Sequence, residues 1–209
     1  MSGDFTAMYS DEEDLIHSLL SGDDMAFSMI YSRYAEILFA YGCGFGFERE
    51  LIKDAIQDVF YKLYFNRNLL KDVKNLRYYL YRMLKNRLLD INRSVVAFDD
   101  IQSDELTFDI KADILDNMIA EEEKKEIEHK IEALFCVLTS RQREAIYLRY
   151  IREMEYEEIG KLLDMTAPAV RKLVARAIKR LREINNNGYL LFCLFSYLFY
   201  ENFQLNGNI

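Results

Sequence analysis

Apolar residues recur three or four apart along most of this 209-residue chain, the spacing of helices that bury one face. The first block runs from about Asp11 to Arg93, opening with a short amphipathic stretch from Asp11 to Leu20. From Met25 to Tyr41, the residues Phe27, Ile30, Tyr31, Tyr34, Ile37, Leu38 and Tyr41 fall at helical spacing. Gly42 to Phe47 (GCGFGF) is the densest glycine cluster and predicts a turn. Arg49 to Phe65 is helical again, with Ile52, Ile56, Val59, Phe60 and Leu63 on one stripe. Asn66 to Asn75 is polar and reads as a loop. Leu76 to Arg93 closes the block, with Leu76, Leu80, Met83, Leu84, Leu88 and Ile91 turned inward.

Periodicity fades between residues 95 and 120 and returns near Glu121. Thr139-Ser-Arg-Gln142 has capping-box form, in which the Thr oxygen accepts an orphan amide while Gln reaches back. A helix from Ser140 to Ile151 should follow. Two more, Tyr156 to Leu163 and Thr166 to Arg182, stand either side of a very short turn. The expected fold class is therefore all-α. Two small helical domains, 11–94 and 121–184, are joined by a linker over 95–120 and followed by an apolar tail over 185–209.

Composition agrees with long helices: the chain has one proline and eight glycines. Hydrophobic residues at 51% are enough for a real core. Net charge is −8, which at first argues against nucleic acid as a partner. Its placement reverses that reading. Val95 to Glu126 holds eleven acids against three bases and so accounts for the whole net charge. The linker is acidic, and the two neutral ends are free to carry local basic faces.

Cys43, Cys136 and Cys193 are isolated, and with His17 and His129 they show no metal-ligand spacing. No catalytic triad, phosphate loop or paired-carboxylate signature appears, so neither an enzyme nor a cofactor or small-molecule substrate is expected. The acidic start lacks a signal-peptide pattern. The apolar run Tyr189 to Tyr200 has 12 residues, where a membrane span needs about 20. The expected location is cytoplasmic.

The sharpest constellation lies in the second block. Ile159, Gly160, Leu163, Met165, Val170 and Leu173 have helix-turn-helix spacing, with small Gly160 where the helices approach. Thr166 suits the N-cap, and Pro168 falls in the first turn, where its missing amide does no harm. The second helix then carries Arg171, Lys172, Arg176, Lys179, Arg180 and Arg182 against Glu183 alone. Such a helix suits a major groove, early residues at base edges and later ones at phosphates. An ordinary hairpin with a solvated basic face explains the charge but not the joint agreement of seam, cap and charge.

In the first block, Lys71 to Arg93 holds seven bases and two acids, with Tyr78, Tyr79 and Tyr81 among them and Tyr61, Tyr64 and Phe65 just before. Cations that track phosphates and rings that stack on bases suit single-stranded DNA. Aromatics at helical spacing are nonetheless more often core, so this mixture is weak taken alone. The helix Asp54 to Tyr64 (DAIQDVFYKLY) carries a polar face of Asp54, Gln57, Asp58 and Lys62, which without further context is a solvated face.

Taken in order, DAIQDVFYKLY, YYLYRMLKNRLLDINR (Tyr78 to Arg93), LTSRQREAIYLRY (Leu138 to Tyr150) and YEEIGKLLDMTAPAVRKLVARAIKRLR (Tyr156 to Arg182) resemble the RNA polymerase sigma-70 family, specifically its extracytoplasmic-function (ECF) subfamily. The resemblance implies a bacterial sigma factor with a region 2 bundle and a region 4 helix-turn-helix. Its expected partners are core RNA polymerase, promoter DNA and an anti-sigma factor. It places polymerase docking on Asp54, Gln57, Asp58 and Tyr61. Minus-ten recognition and melting, with capture of a flipped base, falls to the loop and helix matching Asn66 to Arg93, and there to Tyr78, Arg82, Lys85, Asn86 and Arg93. Minus-thirty-five recognition falls to Thr166, Ala169, Arg171, Lys172, Arg176 and Lys179. Asp164 stands where the family usually has glycine. The competing reading is a stand-alone helix-turn-helix regulator with an N-terminal sensor or dimerisation domain, which leaves Tyr78 to Arg93 unexplained.

Overall fold

The computed structural model describes residues 12–99, 106–110 and 135–184, and every regular element among them is helical. The chain divides into two compact units, one of residues 1–43 and 47–106, the other of residues 44–46 and 107–209.

The first unit packs α1 (Glu12–Ser21), α2 (Asp24–Cys43), α3 (Arg49–Phe65) and α4 (Leu76–Asp99). Three acids, Glu12, Glu13 and Asp14, occupy the first turn of α1, where the helix dipole favours them. Gly22 ends that helix at φ 96, a left-handed conformation that glycine adopts without side-chain strain. The Asp23 carboxylate then accepts the Met25 amide at 2.8 Å and caps α2. Leu15, Leu19, Ile30, Leu38, Ile52, Val59, Leu63, Leu80, Leu84 and Leu88 are buried between the helices. Each such side chain contributes about 1.5–3 kcal/mol. A Cβ on Gly42 would meet Ile52 Cγ2 at 2.5 Å, so glycine permits the close approach of α2 to α3.

Two expectations are corrected here. Asn66–Asn75 is not all loop: Arg67–Leu70 forms a 3₁₀ turn whose Leu70 is fully buried. The last helix does not stop at Arg93 but continues to Asp99, into the stretch read as linker.

Part of the stretch read as linker packs in the second unit. Residues 107–110 alternate outward and inward, with Phe108 and Ile110 buried. The Phe108 amide donates to Ser140 Oγ at 2.6 Å, and its ring lies 5.3 Å from that of Tyr147. The acids of residues 100–105 and 111–134, the start of the second block near Glu121 and the apolar run Tyr189 to Tyr200 lie outside the described residues.

In α5 (Ser140–Ile146) the expected capping box is present. Thr139 Oγ1 accepts the Gln142 amide at 3.3 Å, and Gln142 Oε1 accepts the Thr139 amide at 3.1 Å. The regular helix expected to Ile151 widens instead into a π turn, Tyr147–Ile151. Buried Arg152 accounts for the change. Its amide donates to the Tyr147 carbonyl at 3.1 Å and its Nε to Tyr147 Oη at 2.8 Å. Closing both bonds onto a residue five positions back is something an α turn does not do. The unit is completed by α6 (Tyr156–Leu162) and α7 (Ala167–Ile184), separated by Leu163–Thr166. Asp164 takes φ 52 in that turn, the left-handed conformation that Asp tolerates. A Cβ on Gly160 would stand 2.6 Å from the Met165 carbonyl oxygen, a backbone atom, so the turn closes only over glycine.

Candidate nucleic-acid and polymerase interfaces

On α3 the apolar stripe faces inward, which leaves Asp54, Gln57, Asp58 and Tyr61 together on the outer side at i, i+3, i+4 and i+7. Asp54 and Gln57 are exposed. Asp58 is committed: Arg87 of α4 brings Nε and one terminal nitrogen each to 2.7 Å from its Oδ2. Tyr61 is 64% exposed and lies ring on ring with Phe65, itself 63% exposed, at 4.4 Å. One helix side therefore runs from acidic to aromatic.

Tyr78, Arg82, Asn86 and Arg93 follow one another on α4 at steps of four, four and seven, with Lys85 beside them, and so form one stripe. Arg82, Asn86 and Arg93 are exposed, while Tyr78 and Lys85 are half-buried. Tyr78 Oη lies 3.4 Å from Arg82, and Arg93 lies 3.8 Å from Asp90. A groove of about 150 Å³ between α3 and α4 is lined by Asp58, Lys62, Asn86, Arg87 and Asp90. It brings one residue of the expected docking set, Asp58, next to one of the expected DNA-reading set, Asn86. Arg87, which the sequence reading passed over as one base among seven, is the link. Its signal was present, since it lies off the stripe of the other bases.

The aromatic expectation divides. Tyr81 is fully buried against Tyr41 at 4.7 Å and is core, not a stacking platform. Tyr79 is half-buried, and burial raises its phenol above the usual range while nearby Arg82 pulls the other way. Among the described rings from Tyr61 to Tyr81, the exposed ones are those of Tyr61 and Phe65.

In the second unit, Val170, Leu173, Val174, Ala177 and Leu181 bury one face of α7. Arg171, Lys172, Arg176, Lys179 and Arg182 stand on the other. Thr166 Oγ1 accepts the Ala169 amide at 3.4 Å, a long capping bond, and Ala169 is half-buried. Arg171 is already engaged: it pairs with Glu157 at 3.1 Å and lies over the Tyr156 ring at 5.2 Å. Arg176, Lys179 and Arg180 border a hollow of about 430 Å³ with Thr139, Gln142 and Leu173. Among the described residues no group of His, Cys, Asp or Glu is placed to hold a metal ion, and no helix is long and apolar enough to cross a membrane.

Residues 134–183, which take in α5, α6 and all but the last residue of α7, match the family model described as sigma-70, region 4. Over 164 residues the chain is 22% identical to the ECF RNA polymerase sigma factor SigM of Bacillus subtilis (strain 168), covering 78% of this chain and 98% of SigM. In fold it is similar to CnrH, solved in complex with the cytosolic domain of CnrY. The TM-score is 0.54 at 20% identity, over 82% of this chain and 95% of CnrH. It is likewise similar to the sigma factor RpoE from Bartonella quintana, solved with the anti-sigma factor NepR. Here the TM-score is 0.53 at 20% identity, over 77% of this chain and 97% of RpoE.

Proposed function

We propose, from the chain's place in the sigma-70 family among factors of the extracytoplasmic-function type, that it binds core RNA polymerase and directs promoter recognition, DNA melting and transcription initiation. The observation that carries this reading is a region 4 match over a helix pair whose second member turns a full basic face outward. The residue assignments are those that the family resemblance implies, carried onto the faces described above. Asp54, Gln57, Asp58 and Tyr61 dock on polymerase. Tyr78, Arg82, Lys85, Asn86 and Arg93 engage the minus-ten element as it opens. From α7, Arg171 and Lys172 read the minus-thirty-five element near the helix start, while Arg176 and Lys179 meet phosphates further along. Thr166 and Ala169 lie at the base-facing end of the same helix.

Domain roles divide accordingly: the first unit serves docking and melting, the second serves upstream recognition, and the acids between Val95 and Glu126 oppose binding to free DNA until polymerase redirects them. The factor acts in the bacterial cytoplasm, and its second class of partner is an anti-sigma factor, as for RpoE. Opening a duplex costs a few kcal/mol per unstacked base, which stacking of about 1–3 kcal/mol per base offsets. Run-off transcription with core polymerase tests the reading: a promoter-specific transcript is expected only when the chain is added. Specific promoter binding by the chain alone, with no stimulation of core enzyme, would instead support the stand-alone regulator.

A further inference from the structure

The segment that joins α3 to α4 is held at both ends by carboxylates from the start of α1 and the start of α2. At its far end, Glu12 of α1 accepts the Leu76 amide through Oε2 at 3.2 Å and the Tyr34 hydroxyl through Oε1. Asn75 Oδ1 accepts the Tyr78 amide at 2.7 Å beside it. The first turn of α4 contains no acid, so Glu12 brings in the negative charge that the positive end of a 24-residue helix favours. Burial, and then the bond to Glu12 and its charge, raise the Tyr34 phenol well above its ordinary range, which keeps Tyr34 a neutral donor.

At the near end, Arg67 lies over the Tyr64 ring at 4.4 Å and donates from Nε to the Tyr64 carbonyl at 3.0 Å. It reaches Asp24 of α2 at 3.3 Å, and the same Oδ1 accepts the Tyr64 hydroxyl at 3.1 Å. Between the two clasps Leu70 is the buried pin, while Asn68, Leu69 and Lys71 are exposed.

We infer that Glu12 and Arg67 are positioning residues for minus-ten capture. They fix the two ends of Asn66–Asn75, and with them the first turn of α4, so that the exposed groups meet the displaced strand in one register. The inference rests on the minus-ten assignment made under Proposed function. Neither residue is assigned to the strand: each is partly covered and bonded to partners within the first unit. A clasp of this kind acts on fit more than on attraction, because a recognition loop about 1 Å out of place loses selectivity before it loses charge.

The test uses full-length Arg67→Ala, Arg67→Lys, Glu12→Ala and Glu12→Gln in holoenzyme, with Arg82→Glu as reference. Three quantities are read: core binding, permanganate reactivity of the opened strand, and base preference in a promoter library randomised over the minus-ten element. Arg67→Ala and Glu12→Ala should keep core binding, lower strand opening roughly 3- to 10-fold, the weight of one hydrogen bond, and flatten preference at one or two minus-ten positions. Glu12→Gln keeps an acceptor oxygen and Arg67→Lys keeps the charge toward Asp24, so both should recover part of the selectivity. If the alanine variants prove unfolded, these two conservative variants carry the test by the same preference measurement. A preference profile identical to that of the unsubstituted factor, whether or not opening falls, overturns the positioning role. Normal opening by Arg82→Glu would instead remove the minus-ten assignment itself, whatever Arg67 and Glu12 do.

Discussion

Helices α4 and α7 both present a line of cations, yet they come by it differently. In α7 the separation of faces is written into the helix: Val170, Leu173, Val174, Ala177 and Leu181 are buried, the cations lie opposite, and the cap is the neighbouring Thr166. In α4 the face is made by tertiary structure. Glu12, 64 residues earlier in the chain, holds its first turn, and Asp58 of α3 draws Arg87 out of the outward set. A locally specified helix should tolerate changes elsewhere in its unit and respond to changes in itself. A helix specified from a distance should respond to both.

The largest expected effect breaks the outward face of α4. Arg82→Glu should reduce promoter opening about tenfold or more, given about 1–3 kcal/mol per captured base, and affect duplex binding less. Permanganate footprinting checks it, and normal melting would remove α4 from strand capture. On α7, Arg171→Ala and Lys172→Ala should relax minus-thirty-five preference, each by about 1–3 kcal/mol where it makes a bidentate base contact. Arg176→Ala and Lys179→Ala should weaken binding evenly across sequences and reduce the salt slope by about one unit each. Binding over a salt series on matched and scrambled elements separates the two behaviours.

A smaller effect sharpens the comparison from the side of α3. Replacing Asp54, Gln57 and Asp58 together by alanine should weaken capture of core polymerase, while Asp58→Ala alone should cost the first unit no more than about 1 kcal/mol, because the pair with Arg87 is partly solvated. Pull-down and chemical denaturation report the two effects separately. The smallest concerns the caps. Thr166→Ala should cost about 0.5 kcal/mol, the low end for a cap, because its bond is both long at 3.4 Å and exposed, so water can replace it. Thr139→Ala should cost about 1 kcal/mol, because the Gln142 amide that loses Oγ1 is part-buried, although the Thr139 amide keeps its bond to Gln142. Thermal unfolding of the two variants gives the order, and a larger loss at Thr166 would contradict it.

The helices and the helix-turn-helix were legible because period, cap and charge coincide within a few residues of one another. Thr139, Gly160 and Asp164 each have the local role that their chemistry indicates. What escaped was set by distant partners. Tyr81 resembles Tyr78 and Tyr79 in residue type, but it lies on the buried side of α4 with Leu84 and Leu88 and packs on Tyr41. Residues 107–110 read as linker because four residues are too few to establish a period, although Phe108 and Ile110 alternate as an extended segment does. Leu70 lies in a polar stretch whose average hides one pinned side chain. Glu12 reads as an ordinary acid in a first turn, with nothing nearby to tell of Leu76.

The π turn at Tyr147–Ile151 has a consequence for how this chain tolerates changes in length. A turn closed from residue i to i+5 holds one residue more than an α turn closed from i to i+4. Deleting a single residue there would let Arg152 close on Tyr147 as an ordinary i to i+4 turn, so that everything beyond it, through α6 to the cations of α7, would keep its phase relative to Tyr147, whereas the same deletion within a regular α turn would rotate it by about 100°. This turn is thus a place where the loss of one codon is absorbed by the winding instead of being passed on to the orientation of the helix-turn-helix.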